Sequence, residues 1–92
     1  MVDCSHGNSQ KDYNRQVVAL ENVAEQVTQG SRHLMGVMVE SHLVAGNQKI
    51  CSDRNQLVYG QSITDACVSF ETTVTMLKTL AKAVESRQFA RR

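Results

Sequence analysis

Proline is absent from this 92-residue chain, where ~5% usage would place about four or five. In so short a chain that absence excludes no fold. Aromatic residues are few: Tyr13, Tyr59, Phe70 and Phe89. No apolar stretch approaches the ~18 residues of a membrane span, and no charged n-region with an apolar h-region opens the chain. A membrane partner and a secretory leader are therefore not expected. Charges are interspersed around a formal net charge of +1, with no basic run before Arg91-Arg92. That pair reads as a solvated tail, and no nucleic-acid partner is expected. The cysteines, Cys4, Cys51 and Cys67, are odd in number and form no CxxC. This argues against a disulfide framework or a zinc knuckle and fits a reducing cytoplasm. A P-loop, a GxGxxG and a Ser-His-Asp order are also missing.

What remains is room for one small α/β domain, 1–92, and no separate second domain is expected within it. A chain of this length buries only about two-thirds of its unfolded surface. Gly36-Val37-Met38-Val39-Glu40-Ser41-His42 is a short apolar run ending at a carboxylate. It reads as a parallel-sheet strand buried on both faces. Leu34, Gly36, Met38 and Glu40 are expected on one face, and Met35, Val37 and Val39 on the other. Met1 to His6 reads as the end of another strand, as if the chain began inside an element, with Val2, Cys4 and His6 on one face. Gly7-Asn8-Ser9 is a turn, and Asn8 or Ser9 can cap the next helix. Asp12 falls in that helix's first turn. Its apolar stripe is Val17, Leu20, Ala24 and Val27, with Val23 beside them, and Gly30 stops it.

Strand, helix and strand make a βαβ unit with parallel neighbouring strands. His6 and Glu40 then stand side by side, where α/β folds gather their ligands. The stretch from Ser41 to Asp65 is too long for a plain connection and reads as a functional loop. Ile50, Leu57 and Tyr59 argue against disorder there. Ser69 caps a second helix, whose stripe is Val74, Leu77, Ala81 and Val84, with Leu80 and Phe89. The order is thus β-α-β-loop-α. Two strands are too narrow to stand alone. The face with Gly36, Met38, Val2 and Cys4 is expected to pack on further protein, the rest of a larger α/β fold or another copy.

Imidazole plus two carboxylates at His6, Glu40 and Asp65 suits a divalent metal of the manganese, iron or zinc type. Each also has a plain reading, as a loop residue, a solvated residue and a turn cap. His42 lies at the same edge as a substrate-binding or surface group. His33 lies at the opposite end. Cys4 and Cys67 read as buried residues.

Four segments carry a family resemblance. They are Val2-Asp3-Cys4-Ser5-His6-Gly7-Asn8-Ser9, Gly36-Val37-Met38-Val39-Glu40-Ser41-His42-Leu43, Gly46-Asn47-Gln48 and Tyr59-Gly60-Gln61-Ser62-Ile63-Thr64-Asp65-Ala66-Cys67. In order and spacing they resemble the C-terminal part of the class I 3-deoxy-D-arabino-heptulosonate 7-phosphate (DAHP) synthases. The resemblance implies a β-α-β-α segment forming the last two units of a (β/α)8 TIM barrel. It implies a cytoplasmic, metal-dependent transferase that condenses phosphoenolpyruvate with erythrose 4-phosphate. That reaction opens the shikimate pathway to chorismate and the aromatic amino acids. The family's His, Glu and Asp metal ligands fall on His6, Glu40 and Asp65, and the ion is of the Mn, Fe, Co or Zn type. The family's cysteine ligand belongs to a Gly-Pro-Cys motif that this sequence does not contain. Residues 1–92 would then be an incomplete barrel domain, inactive alone, from a homo-oligomeric enzyme. The alternative is a non-catalytic interaction module that docks on itself or on an intact synthase.

Overall fold

The computed structural model describes residues 1–9, 12–50 and 52–90, without the side chains of residues 8, 9, 89 and 90. The expected caps Asn8 and Ser9, the stripe residue Phe89, and Cys51, Arg91 and Arg92 lie outside the described residues or side chains. The chain runs β1 (Val2–Asp3), a single helical turn α1 (His6–Ser9), α2 (Tyr13–Thr28), β2 (Val37–Met38), β3 (Ser41–His42), a 3₁₀ turn (Arg54–Gln56), β4 (Val68–Ser69) and α3 (Phe70–Ala90).

α2 forms where the apolar periodicity predicts it. Its cap is Asp12, in extended backbone, whose carboxylate accepts the Asn14 N–H at 3.0 Å. Capping satisfies one of the free amides of the first turn. At the other end Gly30 takes φ +99°, and the amides of Gly30 and Ser31 close on the carbonyls of Val27 and Gln26. Leu20, Val23, Ala24 and Val27 are buried as expected. So is Gln16, a polar residue in line with them.

β1 and β2 pair in parallel, with Val2 opposite Val37 and Asp3 opposite Met38. Facing residues in a ladder share a sheet face. Val2 therefore lies with Val37 toward the helices, not with Gly36 and Met38 as expected. Cys4 follows on the same inner side and is fully buried. The register is one residue away from the expected one, and such a step exchanges the two faces. The outer face holds Asp3 and Met38, and Met35 beside the strand is 87% exposed. The strand is thus covered on one face among the described residues, not on both.

The expected β-α-β-loop-α order also changes. Ser41–His42 pairs in parallel with Val68–Ser69, and the Val68 N–H donates to the Glu40 carbonyl at 3.0 Å. The segment 37–42 lies between β1 and β4, so three parallel strand positions stand side by side. β4 runs straight into α3, where Ser69 Oγ accepts the Thr72 N–H at 3.2 Å, the expected cap. The buried residues of α3 are Met76 and Ala83, with the expected Leu80 half-buried beside them; the stripe is not centred on Val74, Leu77, Ala81 and Val84, and Leu77 is 58% exposed. Apolar residues sit on two sides of this helix, so periodicity alone does not choose between them.

The core lies between α2, α3 and the strands. One cluster is Cys4, Leu20, Val68 and Met76; the other is Val23, Ala24, Val27 and Ala83. Val37 and Leu80 pack against both. Each full burial of a Leu or Val stabilises the fold by about 1.5–3 kcal/mol.

The excursion between β3 and β4 is held differently. Gly46 and Cys67 exchange both backbone hydrogen bonds, at 2.8 and 3.1 Å. The Gln48 amide donates to the carbonyls of Val58 and Gln61 and accepts the Val58 N–H. Gln61 Nε2 donates to Ala45 O, and Asn47 Nδ2 to Thr64 O. Ile50 and Tyr59, expected to order this stretch, are 71% and 89% exposed. Its order comes from side-chain amides. Gly60 has φ +79°, and a Cβ there would meet Leu43 Cβ at 2.8 Å. That close approach requires glycine.

Candidate metal centre

β1 ends at Asp3, and the chain turns sharply at His6, whose φ is +49°. A non-glycine residue in this region is strained and needs support. Asp3 and Ser5 supply it. Asp3 Oδ1 accepts both the Ser5 N–H, at 2.8 Å, and the Ser5 hydroxyl. Asp3 Oδ2 stands 3.0 Å from His6 Nδ1, and Ser5 Oγ stands 2.7 Å from the same nitrogen. These contacts fix the ring and turn its other nitrogen toward the exit of β2.

There His6 Nε2 meets Glu40 Oε1 at 2.7 Å and Asp65 Oδ2 at 3.3 Å. One donor atom from each of the three residues lies within 4.8 Å of the others. The structure thus brings together all three residues singled out in the sequence. Glu40 comes from the link between β2 and β3, and Asp65 from the end of the amide-held excursion. They line a cavity of about 280 Å³ with Ser5, Tyr13, Gln16 and Asn47.

The electrostatics follow from this geometry. The hydrogen bond His6 gives to Asp3 raises the His6 pKa most; desolvation opposes it, and the charges of Glu40, Asp3 and Asp65 add to the rise. A carboxylate at each ring nitrogen favours the protonated form of the imidazole. Asp3 is lowered, chiefly by the Ser5 hydroxyl. Burial raises the thiols of Cys4 and Cys67, so neither is poised as a thiolate.

The other histidines stay apart. His42 is exposed on β3 and its Nδ1 accepts the Leu43 N–H at 2.8 Å. His33 is exposed before β2. Three supporting residues were not legible in the sequence. Asp3 carries only an i,i+3 spacing to His6 as a signal. Ser5 carries none, and Gln16 shows only as a polar residue within an apolar stripe.

An imidazole and two carboxylates converging at the exits of parallel strands define a candidate metal centre in an α/β protein. The chain belongs to the DAHP synthetase I family, whose model matches residues 1–78. It is 50% identical over 91 residues to the tyrosine-inhibited phospho-2-dehydro-3-deoxyheptonate aldolase of Candida albicans, a match covering 96% of this chain and 25% of that protein. It is 44% identical to the Tyr-sensitive aldolase of Escherichia coli K12, over 99% of this chain and 26% of the relative. The solved phospho-2-dehydro-3-deoxyheptonate aldolase of Francisella tularensis superimposes with a TM-score of 0.85 at 55% identity, covering 92% of this chain and 24% of that one. The chain spans about a quarter of the length of these relatives.

Proposed function

We propose that this chain carries the metal-holding part of a DAHP synthase, which joins phosphoenolpyruvate to erythrose 4-phosphate and releases phosphate. The observation that carries this reading is the convergence of His6, Glu40 and Asp65 within 4.8 Å at the strand exits. One borderline nitrogen and two hard oxygens fit a first-row divalent ion of the manganese, iron, cobalt or zinc type. Such an ion, when bound, supplies Lewis acidity toward the aldehyde oxygen of erythrose 4-phosphate.

The chain's own residues prepare that site. Asp3 and Ser5 hold His6 Nδ1, which leaves Nε2 as the ligand atom. Glu40 is partly screened from solvent and Asp65 is 62% exposed, so the site opens on the Asp65 side. No Arg or Lys lines the cavity among the described residues. The phosphate groups of both substrates therefore need anchors from outside these residues.

In this reading residues 1–92 are part of a (β/α)8 barrel domain. The parallel positions β1, β2–β3 and β4 are consecutive barrel strands, and the site lies on the face where barrel chemistry gathers. The uncovered face with Asp3 and Met38 supports packing against further protein, from the same barrel or a partner copy. Free thiols at Cys4 and Cys67 support a reducing, cytoplasmic setting. No helix among the described residues is long and apolar enough to cross a membrane.

A chimera tests the proposal. This sequence replaces its matching segment in the Escherichia coli Tyr-sensitive relative, and phosphate release from phosphoenolpyruvate is measured with erythrose 4-phosphate present. The expected result is a metal-dependent activity that His6→Ala abolishes. A folded chimera that is inactive, or whose activity survives His6→Ala, overturns it.

A further inference from the structure

Gln16 sits in the second turn of α2, where the helix faces the sheet, and is 1% exposed. A buried polar side chain of this size needs partners, and Gln16 has two on one residue. Its Oε1 accepts the Glu40 N–H at 2.9 Å, and its Nε2 donates to the Glu40 carbonyl at 3.1 Å. The side-chain amide thus copies a neighbouring peptide and closes on Glu40 as an adjacent strand would. It does so at the break between β2 and β3, where Glu40 belongs to neither strand. On the other side the Glu40 carbonyl also accepts the Val68 N–H at 3.0 Å. Among the described residues no backbone carbonyl accepts the Glu40 N–H.

We propose that Gln16 is a positioning residue for the metal centre: it clamps the Glu40 peptide and so sets where the Glu40 carboxylate meets His6. This rests on the reading of His6, Glu40 and Asp65 as metal ligands. The carboxylate is three bonds from the clamped backbone, so rotation of that peptide swings Oε1 away from Nε2. An apolar residue of the same shape fills the space and loses the clamp. Hydrogen-bonding groups that orient metal ligands typically account for about 10–100-fold in metal affinity.

The test titrates Co²⁺ into the full 92-residue chain, follows its visible absorption and compares Gln16→Met with wild type. Amide exchange at Glu40 is read by NMR in the same samples. Met76→Ala, which opens the core without removing a hydrogen bond to Glu40, controls for general destabilisation. Expected are about 10–100-fold weaker Co²⁺ binding and a fast-exchanging Glu40 amide in Gln16→Met only. If Gln16→Met does not fold, Gln16→Glu takes its place; it keeps an acceptor for the Glu40 N–H and is expected to retain part of the affinity. Wild-type affinity in the Gln16 variant overturns the proposal, and so does an equal loss in Met76→Ala. A wild-type chain without any Co²⁺ spectrum overturns the metal reading itself, and this proposal with it.

Discussion

The βαβ half, Val2 to Met38, and the excursion between His42 and Val68 are two different ways of ordering a chain. The first is held by buried apolar side chains on α2 and the strands, with Leu20 at its centre. The second has almost no core and is held by the amides of Asn47, Gln48 and Gln61 bonding to backbone. The candidate site draws on both, since His6 belongs to the packed half, Asp65 to the amide-held one, and Glu40 to the link between β2 and β3. Burial can be spread over many residues and tolerates exchange of similar shapes. An amide staple depends on one atom at each position.

Leu20→Ala gives the largest effect expected from this contrast. Leu20 is 1% exposed, and truncation is expected to cost about 2–5 kcal/mol. Urea denaturation followed by circular dichroism checks it, and the loss appears as global unfolding. Gln48→Ala comes next. It removes three hydrogen bonds to backbone, each worth about 1 kcal/mol, at a half-buried position. The expected outcome is local. The Val58 amide exchanges faster while the amides of α2 keep their protection. Equal loss in both halves would erase the distinction drawn here.

Asp12→Ala sharpens the same contrast at smaller scale. It removes the α2 cap and is expected to cost about 1 kcal/mol of global stability, with no separate effect on the excursion. The pH dependence of the ion-free chain is smaller still, because His6 and Asp3 are both more than a third exposed. His6 is raised, so its contribution is complete below the ordinary value of 6.5 and fades as pH climbs through the raised one. Asp3 is lowered, so its contribution is complete above 3.8 and fades as pH falls through its lowered value. Melting curves across pH, with His6→Ala and Asp3→Asn for comparison, read both limbs. Metal binding is expected to tighten as pH rises, because the His6 proton competes with the ion.

Legibility in the sequence divides along the same line. α2 was readable because Leu20, Ala24 and Val27 repeat at helical spacing around a long polar face, and Gly30 marks its end. The parallel pairing of β1 with β2 followed from connectivity. The face of β1 did not, since Val2 and Cys4 alternate equally well in either register and only packing chooses. α3 misled because Leu77 and Val84 are as apolar as Met76. β4 stayed hidden because Val68-Ser69 is too short to show alternation. Ile50 and Tyr59 looked like anchors of the excursion, but Gln48 and Gln61 hold it, and glutamine carries no positional signal. The three candidate ligands were legible as residue types at strand exits and as a family motif. Asp3, Ser5 and Gln16, which orient them, act through contacts that no spacing rule reports.

The most direct measurement is anomalous diffraction from a crystal of this chain grown with Mn²⁺. A single anomalous peak within bonding distance of His6 Nε2 and of carboxylate oxygens of Glu40 and Asp65 is the expected result. A crystal with Mn²⁺ bound elsewhere, or with no peak among these three residues, would contradict the account.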